Sequence, residues 1–330
     1  MSMHGTPPLT VVVTSHNRAE LIVSSLESVL ASSFREFRLL VLDDASTDGT
    51  VEAVRRLAET DSRIRIEVNA TNLGQFANRN RAIQLVDTPY LKFHDSDDLM
   101  YPHCLEVLMR LIASSPEAGF AMTAGKNWSG GPCPMLLSPR MSYLREFLGQ
   151  GLFHCSPSGA LFRTEVLREL NGFPQQGVGS DFIFWHRACA LYPALLAPGD
   201  LFWYRIHAGQ EMASPEAVAD YARAQAHAWR ALGEQECPLH GEELQAAKRH
   251  CLRRILRLTL RDIKKRRVHS ARLRLRDAGV RASDWFRYPP FRIPARPNAG
   301  TPLDDRGEFV VPEWFQARRC QTDTRVDVKT

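Results

Sequence analysis

The seven cysteines of this 330-residue chain form no Cys-x-x-Cys pair, and their number is odd. Scattered cysteines of this kind disfavour both a disulfide framework and a structural zinc site. No apolar run is long enough to span a bilayer, and residues 1–8 carry neither the charged nor the apolar part of a secretory leader. We therefore expect a cytoplasmic protein whose thiols are reduced.

Two common nucleotide-binding motifs are also missing. The chain has no loop ending in Gly-Lys-Ser/Thr and no Gly-x-Gly-x-x-Gly. Their absence removes the main support for a P-loop hydrolase and for a dinucleotide-dependent dehydrogenase. A nucleotidyltransferase stays open as an alternative, although the Gly-rich basic phosphate loop expected near the N-terminus of such an enzyme is not found.

What the first half contains is a regular alternation of strand-like and helix-like segments. Apolar β-branched runs are followed by segments whose apolar residues recur at helical spacing. This order predicts an α/β fold with a doubly wound, mostly parallel sheet. The predicted strands cover residues 9–13, 39–42, 64–68, 90–93 and 119–122.

Three of the predicted strands end in polar loops, at residues 14–18, 43–48 and 95–98. Open α/β sheets bind ligands at the carboxyl ends of their strands, so these loops should converge. Asp95, Asp97 and Asp98 repel one another unless a cation lies among them, and hard oxygen ligands suit Mg²⁺ or Mn²⁺ carrying substrate phosphates. A solvated loop that caps the next helix is the alternative.

A nucleotide site at this edge would need an acceptor for the base or ribose, a cation near the phosphates and a metal bridge. Asp44 could supply the first, Arg18 or Arg79 the second, and Asp97 with Asp98 the third. Each residue taken alone is better explained as a loop cap or a surface charge. Their combination is what favours a nucleotide.

Four segments together resemble a known family. They are residues 11–18 (Val-Val-Val-Thr-Ser-His-Asn-Arg), 41–50 (Val-Leu-Asp-Asp-Ala-Ser-Thr-Asp-Gly-Thr), 72–80 (Asn-Leu-Gly-Gln-Phe-Ala-Asn-Arg-Asn) and 93–98 (Phe-His-Asp-Ser-Asp-Asp). In this order and spacing they resemble the family 2 glycosyltransferases of the GT-A fold, in particular the branch typified by the spore-coat polysaccharide synthesis transferase. The resemblance covers roughly residues 9–210.

The resemblance implies a role for several residues. Asp44 would contact the nucleotide base, Asp98 would hold the metal, Mn²⁺ or Mg²⁺, and Asp97 would approach the sugar. Thr14 and His16 would flank the base, and Arg79 would approach the donor. His16 departs from the aromatic Tyr or Phe that is usual in the family.

The implied function is the inverting, metal-dependent transfer of a sugar to an acceptor hydroxyl. The donor would be a nucleotide sugar, of UDP or dTDP, and the acceptor a glycan or a lipid-linked glycan in polysaccharide or cell-envelope synthesis. A catalytically silent module that only binds a nucleotide sugar, or acts as a scaffold, is the alternative from another class.

Two further candidates lie in the second half. Asp181 precedes a helical segment at the position where the family places its general base, although a plain helix cap explains it too. Residues 201–207 are predicted to form a strand that ends in Tyr-Arg-x-His, and His207 is a candidate ligand of the metal or the diphosphate. A structural role for His207 is the alternative.

We expect a GT-A domain over residues 1–214, with a donor half (1–124) and an acceptor half (125–214), followed by a basic helical extension (215–330). Residues 248–276 are predicted to form one strongly basic amphipathic helix. It could pack on the domain, lie on a membrane surface or, as the weakest option, bind nucleic acid. The Pro-rich residues beyond 285 are predicted to be extended.

Overall fold

Strands and helices alternate along the first half of the chain, as the sequence predicts. The computed structural model describes residues 7–125, 133–207, 210 and 215–290. The strands are β1 (Leu9–Ser15), β2 (Phe37–Asp43), β3 (Ile64–Val68), β4 (Tyr90–Asp95), β5 (Leu99–Met100), β6 (Phe120–Thr123), β7 (Met135–Leu137), β8 (Ala160–Arg163), β9 (Ala194–Ala197) and β10 (Phe202–Trp203). The helices are α1 (Ile22–Leu30), α2 (Thr50–Ala58), α3 (Gln75–Leu85), α4 (Cys104–Ala113), α5 (Pro139–Phe147), α6 (Thr164–Glu169), α7 (Ser180–Leu191), α8 (Pro215–Ala231), α9 (Gly241–Lys264), α10 (Val268–Asp277) and α11 (Ala282–Arg287).

The central sheet of the described residues has the strand order β3-β2-β1-β4-β8-β6-β9-β7. β1 pairs in parallel with β2 and β4, β2 with β3, and β6 with β9. β8 runs antiparallel between β4 and β6, and β7 runs antiparallel to β9. The predicted α/β class and mostly parallel sheet are therefore confirmed.

β1 lies inside the sheet because its sequence is apolar on both faces. Leu9, Val11, Val12 and Val13 are fully buried, and they divide between two hydrophobic clusters. Full burial of such a side chain stabilises a fold by about 1.5–3 kcal/mol. A continuous apolar run of this kind is what a parallel strand covered on both faces requires.

Three predictions about local structure were wrong. The predicted strand over residues 201–207 is confined to β10, which pairs with β5 and leaves residues 204–207 outside any strand. Of the loop predicted over 125–139, residues 126–132 lie outside the described part, but the remainder includes β7 and the start of α5. The single helix predicted over 248–276 is two helices, α9 and α10, separated at residues 265–267. The tail after residue 290 lies outside the described residues.

The helical extension shares a core with the sheet. Ala224, Ala226, Cys251 and Ile255 belong to the same buried cluster as Trp185 of α7. The Arg274 guanidinium donates to the Asp262 carboxylate at 2.7 Å, and this buried ion pair joins α10 to α9. The buried residues of α9 include Ala247, Cys251 and Ile255, which belong to this same cluster. The predicted packing of the apolar face of this helix on the domain is therefore confirmed. None of the described helices is both long enough and apolar enough to span a bilayer.

Candidate active site

The polar loops after β1, β2 and β4 meet at one edge of the sheet. Ser15 lies opposite Asp43, and Thr14 lies opposite Asp95, in the parallel registers of these strands. The convergence predicted from topology is therefore observed. β10 pairs with β5, which follows the acidic loop, and this pairing brings residues 205–207 to the same edge.

Asp43 stabilises the loop after β2. Its buried carboxylate accepts hydrogen bonds from the Ser15 hydroxyl at 2.9 Å and from the backbone N–H and hydroxyl of Ser46 at 2.8 and 2.6 Å. Asp48 accepts from the backbone N–H groups of Ala19 and of Thr50, the first residue of α2. Both acids are thus engaged in holding the loop.

Asp44 is 3% exposed, and both of its oxygens accept protein hydrogen bonds. The donors are the backbone N–H groups of Leu73 at 2.9 Å and Gly74 at 2.8 Å, and the Asn69 side-chain amide at 2.5 Å. Asp44 therefore fixes the turn before α3. A carboxylate has about four acceptor directions, so one direction is left over for a ligand.

His16 lies beside Asp44, and its ring is fixed at both nitrogens. Nδ1 donates to the Asp44 carbonyl at 2.8 Å, which leaves Nε2 as the acceptor for the Asn72 side-chain amide at 3.1 Å. Thr14 is half-buried one strand position before Ser15. The ring is thus held against the backbone of Asp44, the residue that was predicted to contact the base.

Arg79 and Asp95 form an ion pair under the acidic loop. Arg79 is 1% exposed, and its guanidinium donates to the Asp95 carboxylate. Burial raises the pKa of Asp95, but the Arg79 charge and the other groups around the carboxylate together outweigh this effect and hold the pKa below the ordinary value. Asp95 therefore offsets part of the positive charge of Arg79, the residue that was predicted to approach the donor.

Asp98 is the most unusual acid of the loop. It is 1% exposed, Oδ1 accepts from the Arg205 backbone N–H at 3.0 Å, and Oδ2 has no hydrogen-bond partner among the described residues. Burial, with the charges of Asp95 and Asp97 beside it, raises the pKa of Asp98 to about 7. A buried carboxylate oxygen without a partner costs free energy unless a cation or a donor reaches it.

Asp97 links the first and the last parts of the edge. Its Oδ2 lies 3.0 Å from Nε2 of His207 and 3.4 Å from Nε of Arg18. Arg18 also donates to the backbone carbonyl of His16 at 3.2 Å. The structure thus brings Asp97, Asp98, His207 and Arg18 together, as the sequence predicted.

Arg205 is a residue that the site prediction left out. Besides its backbone contact with Asp98, its guanidinium donates to the Ser24 hydroxyl at 3.1 Å and lies 5.9 Å from the centre of the Trp203 ring. It places a second cation at the edge of the acidic loop. The Tyr-Arg-x-His pattern contained this residue, but the pattern drew attention to the histidine alone.

Asp181 lies at the first turn of α7, half-buried, and its carboxylate accepts from the backbone N–H of Phe182 at 2.7 Å. Burial raises the pKa of Asp181 to about 6; Arg79 opposes the rise and Asp95 adds to it. The charges of Arg79 and Asp95 therefore both act on the Asp181 carboxyl group. Its basicity is higher than that of an ordinary aspartate.

The donor set fits a divalent cation only in part. Within the described residues no group of three or more His, Cys, Asp or Glu side chains forms a complete metal site. Asp98 nevertheless offers a buried oxygen without a partner, and Asp97 and His207 lie at the same edge. Mg²⁺ is usually held by one or two carboxylates with substrate phosphates and water, so a partial set suits a metal that arrives with its donor.

Residues 10–170 match the family model described as Glycosyl transferase family 2. A Campylobacter jejuni GalNAc(5)-diNAcBac-PP-undecaprenol beta-1,3-glucosyltransferase is 27% identical over 147 residues, which are 44% of each chain. The chain spans less than half the length of the curated relatives it matches.

Two solved structures share the fold. S. aureus TarS 1-349 in complex with UDP-GlcNAc superposes with a TM-score of 0.64 at 19% identity, covering 82% of this chain and 79% of that one. The mannosyltransferase PcManGT from Pyrobaculum calidifontis, in complex with GDP-Man and Mn²⁺, superposes with a TM-score of 0.56 at 20% identity, covering 84% and 87%.

The fold is therefore GT-A, as predicted. Residues 10–170 form a family 2 glycosyltransferase domain, and the family predicted from the sequence is confirmed.

Proposed function

We propose that this protein is an inverting, divalent-metal-dependent glycosyltransferase that moves a sugar from a nucleotide-sugar donor to an acceptor hydroxyl. The observation that carries the proposal is the Asp98 carboxylate, which is buried at the sheet edge with one oxygen that has no partner among the described residues. A buried carboxylate oxygen without a hydrogen-bond partner, at the carboxyl ends of parallel strands, favours a site for a cation and the phosphates that accompany it.

The donor would lie across the edge from His16 to His207. Its base would meet His16 and Asp44, which are linked through the 2.8 Å contact between Nδ1 and the Asp44 carbonyl. Its diphosphate would lie near Arg18 and Arg205. Asp98 would hold Mn²⁺ or Mg²⁺ together with Asp97 and His207, and the metal would neutralise charge on the departing nucleoside diphosphate.

Asp181 would act as the general base. It would take the proton from the acceptor hydroxyl while that oxygen forms a bond to the anomeric carbon. The bond from this carbon to the diphosphate oxygen would break, and its electron pair would remain on the diphosphate. One displacement of this kind inverts the configuration, and a pKa of about 6 suits a base that works near neutral pH.

The donor class is proposed from the related proteins. TarS binds UDP-GlcNAc and PcManGT binds GDP-Man in the superposed structures, so we propose a nucleotide sugar, with UDP or dTDP as the carrier. The Campylobacter relative is named for a glycan linked through diphosphate to undecaprenol. We propose a glycan or lipid-linked acceptor, in polysaccharide or cell-envelope synthesis.

The test is Asp181→Asn, assayed for transfer and for donor binding. The variant should lose transfer and keep its affinity for the nucleotide sugar, since the amide cannot accept the proton. Asp200→Asn is the matched control, because Asp200 is an exposed aspartate. Equal loss of transfer and of donor binding in Asp181→Asn would contradict the assignment. Donor binding without turnover in the wild type, with every acceptor tried, would favour the silent module instead.

A further inference from the structure

We propose that the turn between α9 and α10 is a docking surface for a membrane that carries anionic lipid headgroups. Its exposed cations, here called the basic turn, are Arg261, Lys264, Lys265, Arg266, Arg267 and Arg272. The acid within residues 261–276 is Asp262, which is 2% exposed and paired with the buried Arg274. The positive charge of the basic turn is therefore not offset by an exposed acid of its own segment.

Aliphatic side chains accompany these cations. Ile263 is 50% exposed and Val268 is 64% exposed, although Leu252, Ile255 and Leu256 earlier in α9 are buried. Ile263 and Val268 line a groove of about 540 Å³ together with Leu275 and Val280, and Arg272 and Arg276 lie at the same groove. Apolar groups flanked by Lys and Arg are the pattern of surfaces that enter the headgroup layer of a membrane.

The same features count against nucleic acid as the occupant. Single-stranded nucleic acid binds through bases stacked on aromatic rings, and residues 261–280 contain no Phe, Tyr or Trp. Phosphate contacts alone would make no use of the exposed Ile263 and Val268. A lipid surface uses both the charge and the aliphatic groups.

The orientation of the basic turn follows from two contacts between α8 and α10. Arg274 donates to the Gln225 side chain at 2.8 Å, and Arg230 donates to the Asp277 carbonyl at 3.3 Å. Both helices therefore run in the same direction, and the start of α10 lies at the end of α8 that carries Asp220. Asp220 accepts from the Val178 backbone, three residues before Asp181.

Docking through the basic turn would therefore place the end of α8 that carries Asp220, and with it the loop before the candidate base, on the membrane side of the protein. This would suit an acceptor carried by a lipid. That consequence rests on the proposed function, whereas the binding itself does not.

The test is sedimentation of the full chain with vesicles of equal parts phosphatidylglycerol and phosphatidylcholine, and with vesicles of phosphatidylcholine alone. We expect binding to the anionic vesicles at low salt, weaker binding at high salt and little binding to the neutral ones. Lys264→Glu/Lys265→Glu should weaken binding about tenfold or more. Arg55→Glu/Arg56→Glu, which reverses two exposed charges on α2, should not. Ile263→Ser/Val268→Ser should weaken the binding that remains at high salt.

Several results would overturn the proposal. These are equal binding to both kinds of vesicle, no binding to either, or equal loss in the α2 control. Tighter binding to a random RNA or DNA oligonucleotide in the same buffer, with no sedimentation on vesicles, would assign the basic turn to nucleic acid. Arg267→Glu/Arg272→Glu serves as a second charge reversal if the first variant does not fold, as judged by circular dichroism.

Discussion

The Asp220 carboxylate accepts a hydrogen bond from the backbone N–H of Val178 at 3.1 Å, so a helix of the extension holds the loop that leads to Asp181. The loop before Asp181 and helix α8 also lie close together at two glycines. A Cβ atom on Gly177, where φ is +81°, would lie 1.9 Å from an Asp220 oxygen, and one on Gly179 would lie 2.6 Å from Cβ of Ala224. The extension therefore helps to position the candidate base.

Asp220→Ala should lower the rate of sugar transfer by about tenfold or more, because small displacements of a reacting group reduce the rate strongly. Donor affinity, measured by calorimetry, should change little, since the hydrogen bonds of Asp220 are with Val178 and Arg223, which are not residues of the proposed donor site. Asp220→Asn keeps an oxygen acceptor for Val178 and should restore most of the rate. An Asn variant as slow as the Ala variant would show that the hydrogen bond to Val178 is not what matters.

The pH dependence of transfer should follow Asp181. Because burial raises the pKa of Asp181 to about 6, the base is protonated and inactive at lower pH and becomes active as the pH rises through that value. We expect kcat/KM to rise with pH to a plateau above about pH 7. A midpoint near the ordinary value of an aspartate would contradict the assignment of Asp181.

Asp98→Asn should make the metal-free protein more stable at alkaline pH. Since burial raises the pKa of Asp98 to about 7, the folded state binds this proton more tightly than the unfolded state does. The free-energy cost of burying the charged Asp98 carboxylate is absent below the pKa that this group has in the unfolded chain. The cost grows as the pH rises and is complete above about pH 7. The gain in thermal midpoint over the wild type should therefore be larger at pH 8 than at pH 5. The same gain at both pH values would argue against a raised pKa.

Asn80→Ala should destabilise the fold by about 1–3 kcal/mol, because it leaves two backbone groups without their partner. The Asn80 side chain donates to the Phe173 carbonyl at 2.7 Å and accepts from the Phe173 N–H at 2.8 Å, joining α3 to the turn after α6. Urea unfolding measures the loss. Gln84→Ala, at an exposed position of the same helix, should change the free energy of unfolding by less than about 0.5 kcal/mol.

The proposed donor edge could be predicted from the sequence because its residues follow apolar strands directly. Parallel topology fixes where strand ends meet, so the meeting of Thr14, Asp44 and Asp98 needed no knowledge of side-chain packing. The partners of Asp44 could not be predicted in the same way. The N–H groups of Leu73 and Gly74 are present in any residue but proline, and they leave no mark in the sequence.

Two other features lacked a local signal. Asp220 lies 42 positions from Val178, and neither residue belongs to a recognisable motif. The break between α9 and α10 contains Arg266 at a φ of +57°. A residue with positive φ at the end of a helix is usually glycine or asparagine, and either would have indicated the break in the sequence. The arginine there made the segment look like one continuous helix. Tertiary contacts, including the buried Asp262–Arg274 pair, decide the fold at this point.

Isothermal titration of nucleoside diphosphates and their sugars tests the central claim most directly, with and without Mn²⁺, on the wild type and on Asp98→Asn. We predict binding of a nucleotide sugar that depends on Mn²⁺ in the wild type and is lost in Asp98→Asn, with Asp200→Asn unchanged. Binding of equal affinity in Asp98→Asn, or no binding of any nucleotide sugar to the wild type in the presence of Mn²⁺, would contradict a metal-dependent donor site at Asp98.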